Sequence, residues 1–161
     1  MNKLFSMIIM TLLCFTTGFS AYAEDEIAVQ LNGTPVQFSD QGAVLCSGHA
    51  LVPARGLFEQ MGAHVKWDPD KMTVQITTIT KTLLLQIGNQ YMLIVDNAEY
   101  GSDTSGAYVP AMIALDTSAK LLNGRTMVPL RAISEGLGAV VDWNEEASSV
   151  HITYTAPNIV R

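Results

Sequence analysis

Apolar and polar positions alternate through Ile27-Ala28-Val29-Gln30-Leu31 and again through Pro35-Val36-Gln37-Phe38, with Asn32-Gly33 between them. A period of two marks strands with one buried face, and Asn-Gly supplies the positive φ angles of a tight type I′ turn, so a β-hairpin is predicted. Thr82 to Ile87 and Tyr91 to Val95 flank Gly88-Asn89 in the same way, with Asp96-Asn97 as a weaker turn signal beyond them. The period changes at Leu57, Phe58 and Met61, and at Ile133 and Leu137, which recur at spacings of three and four. That spacing predicts two short helices, each with one apolar face. Pro53 and Pro129 suit the first helical position, where the missing N–H costs nothing, and Gly62 and Gly138 suit a left-handed helix end. After each helix the pattern becomes extended again. His64 to Trp67 turns at Asp68-Pro69-Asp70 and returns along Thr73 to Ile76, and Val140 to Trp143 turns at Asn144-Glu145-Glu146 and returns along Ser149 to Thr153.

These two stretches are one motif written twice. Residues 48–77 align without a gap on residues 124–153, a spacing of 76, matching Gly48 to Gly124, Val52-Pro53 to Val128-Pro129, Arg55 to Arg131, Glu59 to Glu135 and Trp67 to Trp143. Such a register marks an internal duplication. The fold class expected is α+β: two similar repeats of antiparallel strands with one short helix each, packed as one compact unit. Repeat 1 is placed at 24–80 and repeat 2 at 81–155, the second carrying a longer surface loop near 100–108, and 156–161 form a tail.

The first 23 residues have a different character, with Lys3, an apolar stretch from Leu4 to Phe15 and the small-x-small series Ala21-Tyr22-Ala23. This is the pattern of a signal peptide cleaved after Ala23, so a secreted or envelope-associated location is expected. The apolar stretch is shorter than the roughly 20 residues that span a bilayer, and no transmembrane anchor is expected. Cys14 would leave with the leader, and Cys46 in the apolar run Ala43 to Cys46 reads as a small buried hydrophobe. The chain carries a formal charge of −6, or −7 without Lys3, and no basic run, which disfavours nucleic acid and anionic lipid as partners.

The segments VPARGLFEQMGAHVKW and VPLRAISEGLGAVVDW resemble the motif VPxRxxxExxGxxVxW of the copper amine oxidase N-terminal-like domain, or stalk domain, of exported bacterial proteins. Copy one departs by having His49 where copy two has Arg125. The resemblance implies strands in antiparallel sheet with short helices packed on them, and an envelope or secreted setting. In amine oxidases the quinone and copper ligands belong to a separate catalytic domain. This sequence lacks the Asn-Tyr-Asp/Glu context of the cofactor tyrosine and any cluster of three histidines. No amine oxidase activity and no cofactor are therefore expected.

Arg55 with Glu59 and Arg131 with Glu135 are spaced i, i+4, with the cation nearer the helix N-terminus, an order that opposes the macrodipole. Their repetition favours a clamp in which Arg grips a carboxylate or carbonyls of the neighbouring sheet. Trp67 and Trp143 are expected to cover the core rather than stack on sugars. Pro53, Arg55, Glu59, Gly62, Trp67, Pro129, Arg131, Glu135, Gly138 and Trp143 thus read as structural members of the motif. His49, His64 and His151 show no metal spacing, and the acidic turns around Asp68, Asp70, Asp142, Glu145 and Glu146 lack the periodicity of a calcium loop, so no metal is expected. Binding candidates are sought where the copies differ: Tyr100 and Tyr108 in the long loop, and the His49/Arg125 pair. No Gly-x-Ser-x-Gly elbow, phosphate loop or His-Glu-x-x-His helix occurs.

The function expected is a non-catalytic secreted or cell-envelope module for binding or scaffolding, with a wall polymer, a glycan or another exported protein as partner. The alternative is a wall-acting hydrolase with a carboxylate pair in a cleft between the repeats. A further option is a structural or inhibitory partner whose useful surface is a sheet edge near Thr78 to Leu85, a low-charge β-rich segment.

Overall fold

The computed structural model describes residues 26–97 and 109–157. The expected leader with its cleavage site, Tyr100 and Tyr108 with the expected loop, and residues 158–161 lie outside the described residues.

Asn32 and Gly33 have φ of 51° and 79°, and this turn joins β1 (Glu26–Leu31) to the short β2 (Thr34–Pro35) with Leu31 opposite Thr34. Ser47-Gly48 and Asn123-Gly124 make the same left-handed pair of residues, joining β3 (Ala43–Cys46) to β4 (His49–Pro53) and β10 (Lys120–Leu122) to β11 (Arg125–Pro129). Strands β3 and β10 were not apparent from periodicity, being too short to show an alternation.

Strand β4 leads into helix α1 (Ala54–Phe58) and β11 into helix α2 (Leu130–Gly136). Pro53 and Pro129 are the cap residues, one position before the expected first helical position, because their ψ angles of 121° and 111° are still extended. Gly62 and Gly138, at φ of 82° and 96°, reverse the chain after each helix. The chain then forms β5 (His64–Asp68) and β6 (Thr73–Thr77) after α1, and β12 (Val140–Asn144) and β13 (Ser149–Thr153) after α2. Between the two series lie β7 (Lys81–Gln86), β8 (Tyr91–Asp96) and β9 (Ala111–Ala114).

The architecture is α+β, with helices α1 and α2 and two sheets among the described residues. One sheet has eight strands in the order β10-β11-β4-β3-β1-β13-β12, with β2 paired to β1, and the other runs β5-β6-β7-β8-β9. The first is not wholly antiparallel, since β1 and β13 run parallel from Ala28↔Ser149 to Leu31↔Ile152. The second joins strands from both sides of residues 80/81. Strand β7 lies in its interior, paired with β6 and β8, so the expected free edge near Thr78 to Leu85 does not exist. The described edges of that sheet are β5 and β9.

A continuous core fills the space between sheets and helices, with Leu57 and Phe58 from α1, Leu130 and Ile133 from α2, and Ile76, Leu83, Met92 and Ile152 from the strands. Met61 remains buried although α1 ends before it, because the turn after the helix keeps it on the same face.

Candidate functional site

Helix α2 turns one face to the core and the other to a cleft. Leu130, Ile133 and Ser134 are fully buried, whereas Arg131 and Glu135 are exposed on the far side. Gly136 brings the helix end against the five-stranded sheet: a Cβ there would stand 3.0 Å from Leu83 Cδ2 and 3.3 Å from Met92 Cε. Lys81, at the start of β7, donates from Nζ to the Gly136 carbonyl at 3.1 Å. A cation on the last carbonyls complements the helix dipole, so this lysine ties α2 to the sheet.

The cleft that results has a volume of about 930 Å³ and is lined by residues of both sheets and of α2. Its apolar lining comes from Met92, Ile94 and Ile113 on one side and Leu130, Val141 and Val150 on the other. Its charged and histidine side chains are His49, Lys81, Asp116, Arg131, Glu135 and Glu145. Trp143 stands at the rim, 40% exposed, and is shared with an adjoining concavity lined by Asp142, Glu145, Glu146 and His151.

This placement differs between the motif copies. From copy two, Pro129, Arg131, Glu135 and Trp143 all line the cleft. From copy one none of Pro53, Arg55, Glu59, Gly62 and Trp67 does so. Arg55 and Glu59 are exposed, and Trp67 is half-buried against the main core. The expected covering of both indoles therefore meets one half-covered ring and one open one. The expected grip of the arginines on a carboxylate is not among the ion pairs of the described residues, which are Lys71–Asp68 and Arg125–Asp40; Arg55, Glu59, Arg131 and Glu135 are exposed. The clamp on α2 is Lys81, which no local sequence pattern marked.

His49, on β4, is half-buried in the cleft wall, but Arg125 lies elsewhere. Its guanidinium is bonded to the Asp40 carboxylate on the surface. That bond, with a second from the Gln41 N–H, holds the Asp40 carboxyl below its ordinary value of 3.8. The neighbouring Asn123 side chain donates to Gln41 Oε1 at 2.9 Å, so these contacts fasten the β10–β11 turn to the 39–42 segment. Cys46 is half-buried rather than buried, with Lys120 Nζ 3.1 Å from its sulfur. Among the described residues no group of three or more His, Cys, Asp or Glu side chains is placed to hold a metal ion.

The profile of the copper amine oxidase N-terminal domain matches residues 30–152, from β1 to β13, and so takes in both motif copies and the cleft. The chain belongs to this family. The chain is also similar to a "Protease inhibitor" from Brevibacillus choshinensis, 28% identical over 127 residues. The aligned region is 78% of this chain but 34% of that protein, so the chain spans about a third of the length of the curated relative it matches. No solved structure matches the chain.

Proposed function

We propose that this protein is a non-catalytic binding module, secreted or held in the cell envelope, that takes another exported protein in the cleft beside α2. The observation that carries the reading is the combination of apolar walls with exposed groups that have no ion pair among the described residues, Arg131 and Glu135, and the exposed ring of Trp143. Binding sites of this size combine apolar walls with a few convergent polar groups, and an exposed indole beside them is a common anchor. The curated relative's name, "Protease inhibitor", supports a polypeptide partner over a wall polymer or glycan and makes an extracellular protease the first candidate. Its match extends over 78% of this chain. The two motif copies serve as the frame that presents the cleft, packed as one unit around β4 and β11.

A wall-acting hydrolase is less well supported by the same cleft. A glycosidase acid must be shielded from water, whereas Asp116, Glu135 and Glu145 are all exposed.

The test is binding of purified protein to a panel of extracellular proteases, peptidoglycan sacculi and soluble glycans, with Trp143→Ala and Arg131→Ala in parallel. The expected result is retention of a panel protein, weakened about ten-fold or more by Trp143→Ala, as for an interface anchor. Retention of no protein, or equal retention by both variants, would count against the cleft. Dye release from labelled wall material would replace this reading with the hydrolase.

A further inference from the structure

Strand β9 forms one wall of the cleft and is also a sheet edge. Among the described residues it pairs with β8 alone, through Tyr91↔Ala114, Met92↔Ile113, Leu93↔Met112 and Ile94↔Ala111. The Leu115 N–H donates to the Gln90 carbonyl at 2.8 Å. Facing pairs in an antiparallel ladder alternate between bonded and non-bonded. The bonded pairs are therefore Ile113–Met92 and Ala111–Ile94, and the N–H and C=O groups of Met112 and Ala114 point away from β8.

Native edges are blunted with charges, proline or bulges. The edge strand β5 carries His64, Lys66 and Asp68, and β12 carries Asp142. Strand β9, Ala-Met-Ile-Ala, carries no charge, and all four residues are exposed, Met112 at 65%. Pro110 just before it can donate no N–H, so the open stretch is short and bounded.

We infer that β9 accepts an added strand, an extended segment of a partner polypeptide bearing a basic side chain. This rests on the cleft being the receptor surface and names what enters it. Unpaired backbone donors and acceptors are matched by another extended backbone. Residues alternate between faces in such a strand, and Ile113 lines the cleft on the same face as Met92 and Ile94, so alternate side chains of the added strand fall into it. The charge there selects the partner. The cleft and its adjoining concavity carry Asp116, Glu135, Asp142, Glu145 and Glu146 against Lys81 and Arg131, and the Lys81 ammonium already serves the Gly136 carbonyl. A lysine or arginine reaching the open face of Trp143 meets both the ring and these carboxylates. A second copy of this chain fits less well, because its own β9 brings no basic residue.

The probe is a capped hexapeptide alternating threonine and lysine, together with a glutamate-for-lysine version and two versions N-methylated on alternate amides, one set in each register. Amide exchange at Met112 and Ala114 and the resonance of the Trp143 indole N–H are followed by NMR on the unmodified protein. The lysine peptide is expected to slow exchange at both amides and shift the indole resonance. One N-methyl register should weaken binding about ten-fold or more and the other little, and glutamate should weaken it about ten-fold. Equal binding by both N-methyl registers and the parent, or by the glutamate peptide, overturns the inference. So does a concentration-dependent dimer that protects Met112 and Ala114 without peptide. A shifted indole with unprotected Met112 and Ala114 sinks strand addition while leaving the cleft as receptor, whereas failure of the protease panel sinks the receptor reading itself.

Discussion

Val52 and Val128, the same position in the two motif copies, face each other as Cα partners across β4 and β11, and both are fully buried. The flanking pairs, Leu51↔Pro129 and Pro53↔Met127, mirror one another about that point. A local two-fold relation thus passes between the two valines, and the helices that follow diverge from it to opposite sides.

Truncation at this centre should be costly and coupled. Val52→Ala or Val128→Ala is expected to lose roughly 2 kcal/mol through lost burial and the cavity left behind. Directly opposed side chains share neighbours, so the double variant should depart from additivity by at least about 0.5 kcal/mol. Urea unfolding of the four-member cycle measures both, and strict additivity would show that the valines do not support each other.

Ser134 aligns with Phe58, and both are fully buried. Where copy one places a large ring, copy two places a hydroxyl whose oxygen has no hydrogen-bond partner. An orphaned buried hydroxyl carries its desolvation cost without return. Ser134→Ala should therefore stabilise the chain by about 1 kcal/mol and raise Tm by about 3 °C. A fall in Tm on thermal unfolding would mean that the hydroxyl is satisfied in solution.

Lys81→Met should destabilise the fold by about 1 kcal/mol while keeping most of the side chain's apolar bulk. The variant loses the bond to the Gly136 carbonyl and the charge at the end of α2. Arg131→Ala, at an exposed position without an ion pair, should change stability far less. If urea unfolding finds Arg131→Ala the more damaging of the two, the arginine is the clamp after all.

The bond from Arg125 lowers the Asp40 carboxyl below its ordinary value, so the sign of its linkage to stability is fixed. The folded chain keeps Asp40 ionised at a pH where the unfolded chain protonates it. Its contribution is present above pH 3.8 and is lost as pH falls through the lowered folded value. An NMR titration should place the Asp40 inflection below 3.8 in the parent and closer to it in Arg125→Ala. An unmoved inflection would show that Arg125 does not set it.

Local chemistry explains which parts of this fold were legible in the sequence. The Asn32-Gly33 turn, the left-handed Gly62 and Gly138, and the strand–helix–strand order of each motif rest on backbone preferences within a few residues. The parallel β1–β13 ladder could not be read that way, because it joins residues about 120 apart. For the same reason the interior position of β7 was missed, since a low-charge strand looks alike at an edge and in the middle of a sheet. The cleft was legible only in its copy-two motif residues and in His49. Lys81, Met92, Ile113 and Asp116 come from segments with no shared motif and meet only through the sheet order.

The two tryptophans show where sequence equivalence ends. Trp67 pairs with Val74 and Trp143 with Val150, so each indole occupies the same sheet position in its own hairpin. What stands above the ring is decided by the rest of the chain: core side chains half-cover Trp67, whereas the cleft opens over Trp143. These are the only tryptophans in the chain, so Trp67→Phe and Trp143→Phe each leave a single reporter. The Trp67→Phe protein should emit at longer wavelength and be quenched several-fold more by acrylamide than the Trp143→Phe protein, as expected for an open against a packed ring. A partner bound in the cleft should abolish that difference. Equal quenching in the free variants would place Trp143 under cover and remove the anchor on which the cleft reading depends.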